Sequence, residues 1–484
     1  MKVIVVFDDT GKKSEVISDI IGDKGFADVV VKKRRLEEYY RDELEKLYPE
    51  LTWKKLHSLF EFADLGEELE HKNSGDVRIL HCISDHLISD AQKAGLSFKK
   101  LLYVDVPYAM LVNGKPVAAM FPSAETYLEF VREISAGKKP RDLIRECRER
   151  FEAEGLADIG QIGNFIQCVT GNFDSRYFNT LKGDEYTLVK SSSNKEKIRA
   201  EYQFYHLLPE DMKFWFVLPF DFRETDGGAS YRMERLHMTD LAIKWVHGSM
   251  DEAEFGELMD KYFYFFSCRH EKKCSREEYR KTADALYVTK VKERLKALKE
   301  LKEYKKIESL LSSTGAPGVD ALADRYFALK EKIEKKTEYP ARLVIGHGDP
   351  CFANALYNKS TRTLKFIDPR GATTEEALWT DPYYDVAKLS HSVCGSYDFF
   401  NNALFDIRIG EGFEPELELP FDNRAYVKIF RQRLEESGFD YHSVRLYEVS
   451  LFLSMLPLHM DNPLKVLGFI LNAAAILEEI EKNA

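Results

Sequence analysis

The sequence predicts two units of different class, an α/β layer over residues 1–140 and an α+β unit of two lobes over the rest. Three observations point there. Over the first 135 residues, short apolar runs that read as strands alternate with helical patterns, as in a sheet covered by helices. From about Gly160 the strands come first and the helices follow, which is the order of an α+β unit. Between them, SAGKKPRD at 135–142 has the small, charged and Pro-bearing composition of a linker.

The elements follow in order. KVIVVFD at 2–8 reads as a buried strand, KSEVISDII as a helix and ADVVVKK as a strand. Charged helical stretches run from about Leu36 to Glu70. VRILHCIS and KLLYVD read as strands, and YAMLVNGKPVAAMF as a hairpin turning at Asn-Gly. AETYLEFVREI is a helix that closes the layer, with a short helix after the linker. Residues 141–238 then form a strand-rich lobe. In it GNFIQCVTGNFDSRYFNTL reads as strand, turn, strand, DEYTLVKS as a third strand and NKEKIRAEYQFYHLL as a helix. FWFVLPFDFRE and GASYRMERL supply further strands. Residues 239–484 are mostly helical.

Composition excludes several function classes. With 44% apolar and 13% aromatic residues the chain can bury large cores. A net charge of -11 argues against a dedicated nucleic-acid binder, whose footprint is basic. No apolar run reaches membrane-spanning length, MKVIVVFDDTG lacks the features of a signal peptide, and seven scattered cysteines fit a reducing, cytoplasmic setting. VVFDDTGKKS fails as a phosphate loop, because Val6 stands where a glycine is needed and Lys13 breaks the GK[ST] ending.

One segment carries chemistry. In HGDPCFANALYN, 347–358, a strand RLVIG leads into a loop, ALYN leads out, and TLKFID returns after a turn. An antiparallel hairpin brings its ends together, so Asn354 and Asp368 should lie side by side with Asp349 on the adjoining loop. Two carboxylates and an amide oxygen make a hard, oxygen-rich site suited to Mg²⁺. Phosphoryl transfer needs such an arrangement: a metal on the phosphates and a carboxylate to accept the proton of the attacking hydroxyl. Asp349 is the candidate base, and Asn354 and Asp368 are the candidate metal ligands.

H-G-D-x-x-x-x-N followed by I-D resembles the aminoglycoside phosphotransferase and choline kinase family. The resemblance implies a bilobal protein kinase-like phosphotransferase fold, with ATP and Mg²⁺ as cofactors. It implies a structural His347, a catalytic Asp349 and magnesium ligation by Asn354 and Asp368. DPYYDVAKLSHS resembles the family's D-P-x-x-D-[LVI]-A segment, which makes Asp381 a helix cap and Asp385 a brace for the catalytic loop. Upstream, the fold demands a strand lysine for the phosphates, here Lys190, and a helical acid to position it, here Glu201 with Glu196 as second choice. It demands a phosphate turn, for which CVTGNFDSRYF offers Gly171, Asn172 and Ser175. YRMERL resembles the family's hinge and makes Met233, Glu234 and Leu236 adenine neighbours.

The acceptor is expected to be a small-molecule alcohol: choline or another amino-alcohol, an aminoglycoside or a sugar. Arg370, Trp379 and Tyr383 are candidate acceptor-binding residues. The pattern from IDPRG to DPYYDVAKLSHS looks like bacterial phosphotransferases of surface-polysaccharide pathways. In the first domain, Asp85 after a strand resembles the metal-binding strand end of a nucleotidyltransferase. The Gly-rich loop of that fold is absent, so the domain is Rossmann-like or a degenerate nucleotidyltransferase-like layer. The competing readings are a catalytically silent kinase-fold scaffold and a bifunctional kinase–nucleotidyltransferase. The sequence leaves the oligomeric state open.

Overall fold

The run KVIVVFD forms β1 (Lys2–Asp8), which lies inside a six-stranded sheet. The computed structural model describes residues 2–31, 33–70, 77–170, 179–336, 341–412 and 414–483. It divides into two units, Met1–Phe173 and Asp174–Ala484.

In the first unit, α1 (Glu15–Ile21) and α2 (Leu36–Glu45) precede β2 (Leu51–Leu56), and α3 (Glu61–Glu70) leads to β3 (Val77–Ile83). The short β4 (His86–Ile88) and α4 (Ala91–Lys99) follow. Then come β5 (Tyr108–Val112), β6 (Lys115–Phe121), α5 (Ala124–Ser135), α6 (Pro140–Arg145), β7 (Glu149–Glu152), β8 (Leu156–Asp158) and α7 (Ile162–Thr170). The main sheet runs β2-β1-β3-β6-β5-β7. β1 is parallel to β2 and β3, and β6 is antiparallel to β3 and β5. The reversal comes from the Asn113-Gly114 turn, where both residues have positive φ (51° and 74°), as a tight hairpin requires. The sheet is therefore mixed, not the purely parallel sheet of a Rossmann layer.

Several expectations are corrected here. β2 falls in a stretch whose charged pattern predicts helix. Its sequence LTWKKL is charged because it lies at the sheet edge with only its last residue buried. KLLYVD forms turns after α4 instead of a strand, with Leu101 as the buried plug. ADVVVKK contributes only Val30–Val31, paired with Arg34–Arg35 outside the main sheet. The unit also runs past residue 140, because β7 pairs in parallel with β5 and β8 pairs with β4. GNFIQCVT is helical, not a strand: Phe165 and Val169, four apart, are its buried positions.

The second unit opens with a four-stranded antiparallel sheet made by β9 (Asn179–Gly183), β10 (Thr187–Ser192), β11 (Pro219–Thr225) and β12 (Gly228–Glu234), in the order β9-β10-β12-β11. Between β10 and β11, α8 (Lys195–Leu207) covers one face. Ile198 packs there with Val217, Ala229, Tyr231 and Met233. Residues 235–238 lead from β12 into β13 (Thr239–Asp240) and the helical lobe.

That lobe includes α9 (Leu241–His247), α10 (Glu252–Ser267), α11 (Lys290–Glu300), α12 (Pro382–Val393), α13 (Tyr441–Met455) and α14 (Pro463–Asn483). Two small three-stranded sheets hold the 346–354 loop between them. One joins β14 (Glu271–Lys273), β15 (Arg342–Ile345) and β18 (Trp379–Thr380). The other joins β13, β16 (Ala355–Asn358) and β17 (Thr363–Phe366). Helices α12 and α13 are buried nearly all round, so α12 lies in the core and can fix a loop against itself. No helix among the described residues is long and apolar enough to cross a membrane.

Candidate active site

The β16–β17 hairpin pairs Ala355 with Phe366, and its mouth is closed by the Ile367 N–H donating to the Asn354 carbonyl at 3.0 Å. Asn354 and Asp368 therefore flank one another, as hairpin geometry demands. The Asn354 amide nitrogen donates to the Asp349 carbonyl at 2.9 Å, which ties the loop residue to the hairpin and commits the nitrogen side of the amide. Asp368 sits at φ 55°, a left-handed backbone that turns the chain sharply out of β17. Gly371 follows at φ 90°, and a Cβ there would meet the Ala200 and Glu201 backbone at 2.8–2.9 Å. The Ala372 N–H donates to the Ala200 carbonyl at 3.0 Å. This close approach docks the segment after Asp368 onto α8.

The docking has an electrostatic result. Lys190 on β10 is buried, with its Nζ 2.7 Å from Glu201 Oε2 and 2.8 Å from Asp368 Oδ1. Burial works against the lysine charge, yet the Asp368 and Glu201 carboxylates outweigh it and raise its pKa. Burial raises Glu201, with Lys190 pulling the other way. The Tyr231 hydroxyl donates to Glu201 Oε2 at 3.3 Å, a further anchor on β12. Lys190, Glu201 and Asp368 thus join the strand lobe to the mouth of the β16–β17 hairpin.

His347 is fully buried and stacked on Phe216 at 5.7 Å. Its Nδ1 accepts from the Asp349 N–H at 3.0 Å, and its Nε2 faces the Ile367 carbonyl at 3.0 Å. That pair of partners assigns the neutral tautomer protonated at Nε2, and burial lowers the ring's pKa accordingly. The imidazole sets the backbone of Asp349 and touches no reacting position.

Helix α12 holds the rest of the loop. Asp381 caps it by accepting from the Tyr383 N–H at 2.8 Å, and accepts from the Tyr287 hydroxyl at 3.0 Å. Asp385 accepts from the N–H groups of His347 at 2.9 Å and Gly348 at 2.8 Å. Lys388 reaches Asp349 Oδ1 at 3.0 Å, and Ser392 Oγ accepts from the Phe352 N–H at 3.1 Å. Positions 385, 388 and 392 share one helical stripe, spaced three and four apart. Buried Arg269 backs Asp385 at 3.4 Å and donates to the Pro382 carbonyl. Sequence reasoning misses Lys388, Ser392 and Arg269. The signal for the first two is their spacing from Asp385 in DPYYDVAKLSHS, whereas Arg269 lies two residues past the end of α10 and leaves no local trace.

Burial works against the Asp349 charge, and the Lys388 ammonium outweighs it, so the carboxyl lies below its ordinary range. Its side chain remains 38% exposed, open to a partner from outside. Arg370 donates its N–H to the His347 carbonyl at 2.9 Å, and its side chain is exposed beside the loop.

The other candidates distribute differently. Met233 is buried in the strand-lobe core, and Leu236 packs against the same cluster on the hinge. The Glu234 carboxylate accepts from the Leu218 N–H at 3.0 Å, so its side chain braces the chain just before β11. Trp379 pairs with Ile345 in β18 and packs at the edge of the helical core. Tyr383 is corrected as an acceptor contact. It is buried, edge-on to Phe439 and Tyr447, with its hydroxyl accepting from the Asp440 N–H at 3.4 Å. Gly171, Asn172 and Ser175 lie outside the described residues.

The donor set fits Mg²⁺: an amide oxygen from Asn354 and the Asp368 carboxylate, both hard oxygen ligands on adjoining strand ends. In the first unit the resemblance to a metal site at Asp85 fits less well. Asp85, His86 and Asp158 do cluster. However, Lys115 Nζ bridges Asp85 at 2.7 Å and Asp158 at 2.8 Å, and Arg141 meets Asp85 at 2.7 Å. The position between the two carboxylates is taken by an ammonium.

No family model matches the chain, and no curated protein matches it. Solved structures do. One is the aminoglycoside phosphotransferase APH(3'')-Id from Streptomyces rimosus in complex with ADP and streptomycin. It is 16% identical, with a TM-score of 0.34 over 61% of this chain and 98% of that one. Another is a thermostable mutant of aminoglycoside phosphotransferase APH(4)-Ia in a ternary complex with AMP-PNP and hygromycin B. It is 13% identical, with a TM-score of 0.36 over 65% of this chain and 97% of that one. Both of these structures are of aminoglycoside phosphotransferases.

Proposed function

We propose that the second unit is an ATP- and Mg²⁺-dependent phosphotransferase acting on a hydroxyl of a small molecule. The observation that carries this reading is the ion-pair bridge Glu201–Lys190–Asp368, set beside the Asp349–Asn354 loop. A structural ion pair needs one lysine and one acid. A buried lysine shared by a helical acid and the strand-end acid of an oxygen-rich hairpin mouth is the arrangement phosphoryl transfer uses.

In this reading Lys190, oriented by Glu201, would hold nucleotide phosphates, and Asn354 and Asp368 would hold the metal. The metal neutralises phosphate charge and aligns the γ-phosphoryl group when bound. The acceptor oxygen forms a bond to the γ-phosphorus while the bond from that phosphorus to the β–γ bridging oxygen breaks. ADP leaves, and the hydroxyl proton passes to Asp349. The adenine would meet the hinge around Met233, Glu234 and Leu236, and Arg370 and Trp379 would lie toward the acceptor. An amino-alcohol, an aminoglycoside or a sugar is the acceptor class. For the first unit we propose a non-catalytic role, supported by the Lys115 and Arg141 cations that hold Asp85.

The test is mass spectrometry of products after incubation with MgATP and a panel of choline, ethanolamine, aminoglycosides, free sugars and polyols. One acceptor gaining a single phosphoryl group, with stoichiometric ADP and none after chelation of Mg²⁺, is the expected result. No phosphorylated product from any acceptor, with MgATP demonstrably bound, would overturn the reading.

A further inference from the structure

Lys388 projects from the interior face of α12, its side chain only 12% exposed. The neighbouring cations serve other groups: Lys190 pairs with Glu201 and Asp368, and Lys290 donates to the Tyr384 hydroxyl at 2.9 Å. Lys388 reaches the catalytic loop instead, at Oδ1 of Asp349. Its stripe-mates Asp385 and Ser392 hold the backbone on either side, at His347, Gly348 and Phe352. The helix therefore grips the loop's backbone at both ends and its one carboxylate in the middle.

A carboxylate turning freely about its terminal torsion, which is broad for aspartate, presents its oxygens in many directions. One fixed from the protein side through Oδ1 presents Oδ2 outward. We propose that Lys388 is a positioning residue for the base, holding Asp349 Oδ1 from the buried side so that Oδ2 meets the acceptor hydroxyl in line with the γ-phosphoryl group. The inference rests on the phosphotransferase reading above.

Two further observations agree. Lys388 is held charged, since the Asp349 carboxylate outweighs the effect of burial on its ammonium. Tyr384, one turn earlier on the same face, is flanked by Lys290, which begins α11 right after the π-helical turn Ala285–Thr289. Such turns recur at functional sites. The buried side of Asp349 is thus met by the Lys388 ammonium, while its side chain stays 38% exposed.

The experiment is a double-mutant cycle on the full chain. ADP release from MgATP is followed with the best acceptor of the panel and with water alone. Wild type, Lys388→Met, Lys388→Arg, Asp349→Asn and Lys388→Met/Asp349→Asn are compared, each checked by thermal melting. Lys388→Met is expected to lower kcat about 10²-fold, as losing a preorganised electrostatic partner does, with the KM for MgATP changed by less than about twofold. Lys388→Arg, which keeps the charge, should recover part of the loss. In the Asp349→Asn background Lys388→Met should change the residual rate by less than about twofold, because a residue acting through the base has nothing left to act on. An equal loss in both backgrounds, or wild-type kcat in Lys388→Met, would overturn the inference and leave the phosphotransferase reading standing. A wild type silent toward every acceptor and toward water would overturn both.

Discussion

Asp398 lies fully buried on the helix that follows α12, and burial pushes its pKa up to about 7 from an ordinary 3.8. The folded chain then holds a proton that the unfolded chain releases at lower pH. Between about pH 4 and pH 7 the folded state binds more protons, so this group's contribution to stability falls as pH rises. Asp398→Asn removes that slope. Melting temperatures measured from about pH 5 to pH 8 should fall more steeply for wild type than for the variant, and parallel curves would contradict the assignment. At this scale the sequence is most legible where a residue's role depends on near neighbours. His347, Asp349, Asn354 and Asp368 fall within one loop and hairpin, so spacing alone brings them together. Lys190 and Glu201 follow from strand and helix order. Tyr383 is misread because what a side chain faces depends on partners distant in sequence, here Phe439 and Tyr447.

The 346–354 loop is an element without regular hydrogen bonding of its own, and α12 supplies what it lacks. Asp385 alone takes two of its backbone N–H groups and pairs with a buried arginine. Removing that carboxylate leaves Arg269 charged and unmatched in the core, which costs about 3–5 kcal/mol. Asp385→Ala should therefore lower the denaturation midpoint of the second unit markedly, as read by chemical unfolding. An unchanged midpoint would show that the grip of α12 on the loop contributes little. The strands and helices of this unit are legible because their apolar periodicity is strong. β2 and β7 of the first unit are not, since charged edge strands lack a two-sided apolar pattern. GNFIQCVT is open to the wrong period because a short apolar run fits either class.

Across the whole molecule, every group assigned to nucleotide or metal among the described residues lies in the second unit, and the first unit carries a carboxylate pair closed by Lys115. Binding of a magnesium complex of a non-hydrolysable ATP analogue should slow hydrogen exchange in β10, α8 and the 347–368 loop and hairpin, because a ligand that binds only the folded state suppresses local opening there. Protection appearing only in the first unit would move the nucleotide site. The central claim is that Asp349 serves phosphoryl transfer and not nucleotide binding, and it has one direct measurement. Turnover of MgATP with the best acceptor, and MgATP affinity by calorimetry, are compared for wild type and Asp349→Asn. Turnover should fall by about 10²–10⁴-fold in Asp349→Asn, the range for a general base, with affinity retained. Turnover equal to wild type in Asp349→Asn would contradict the claim.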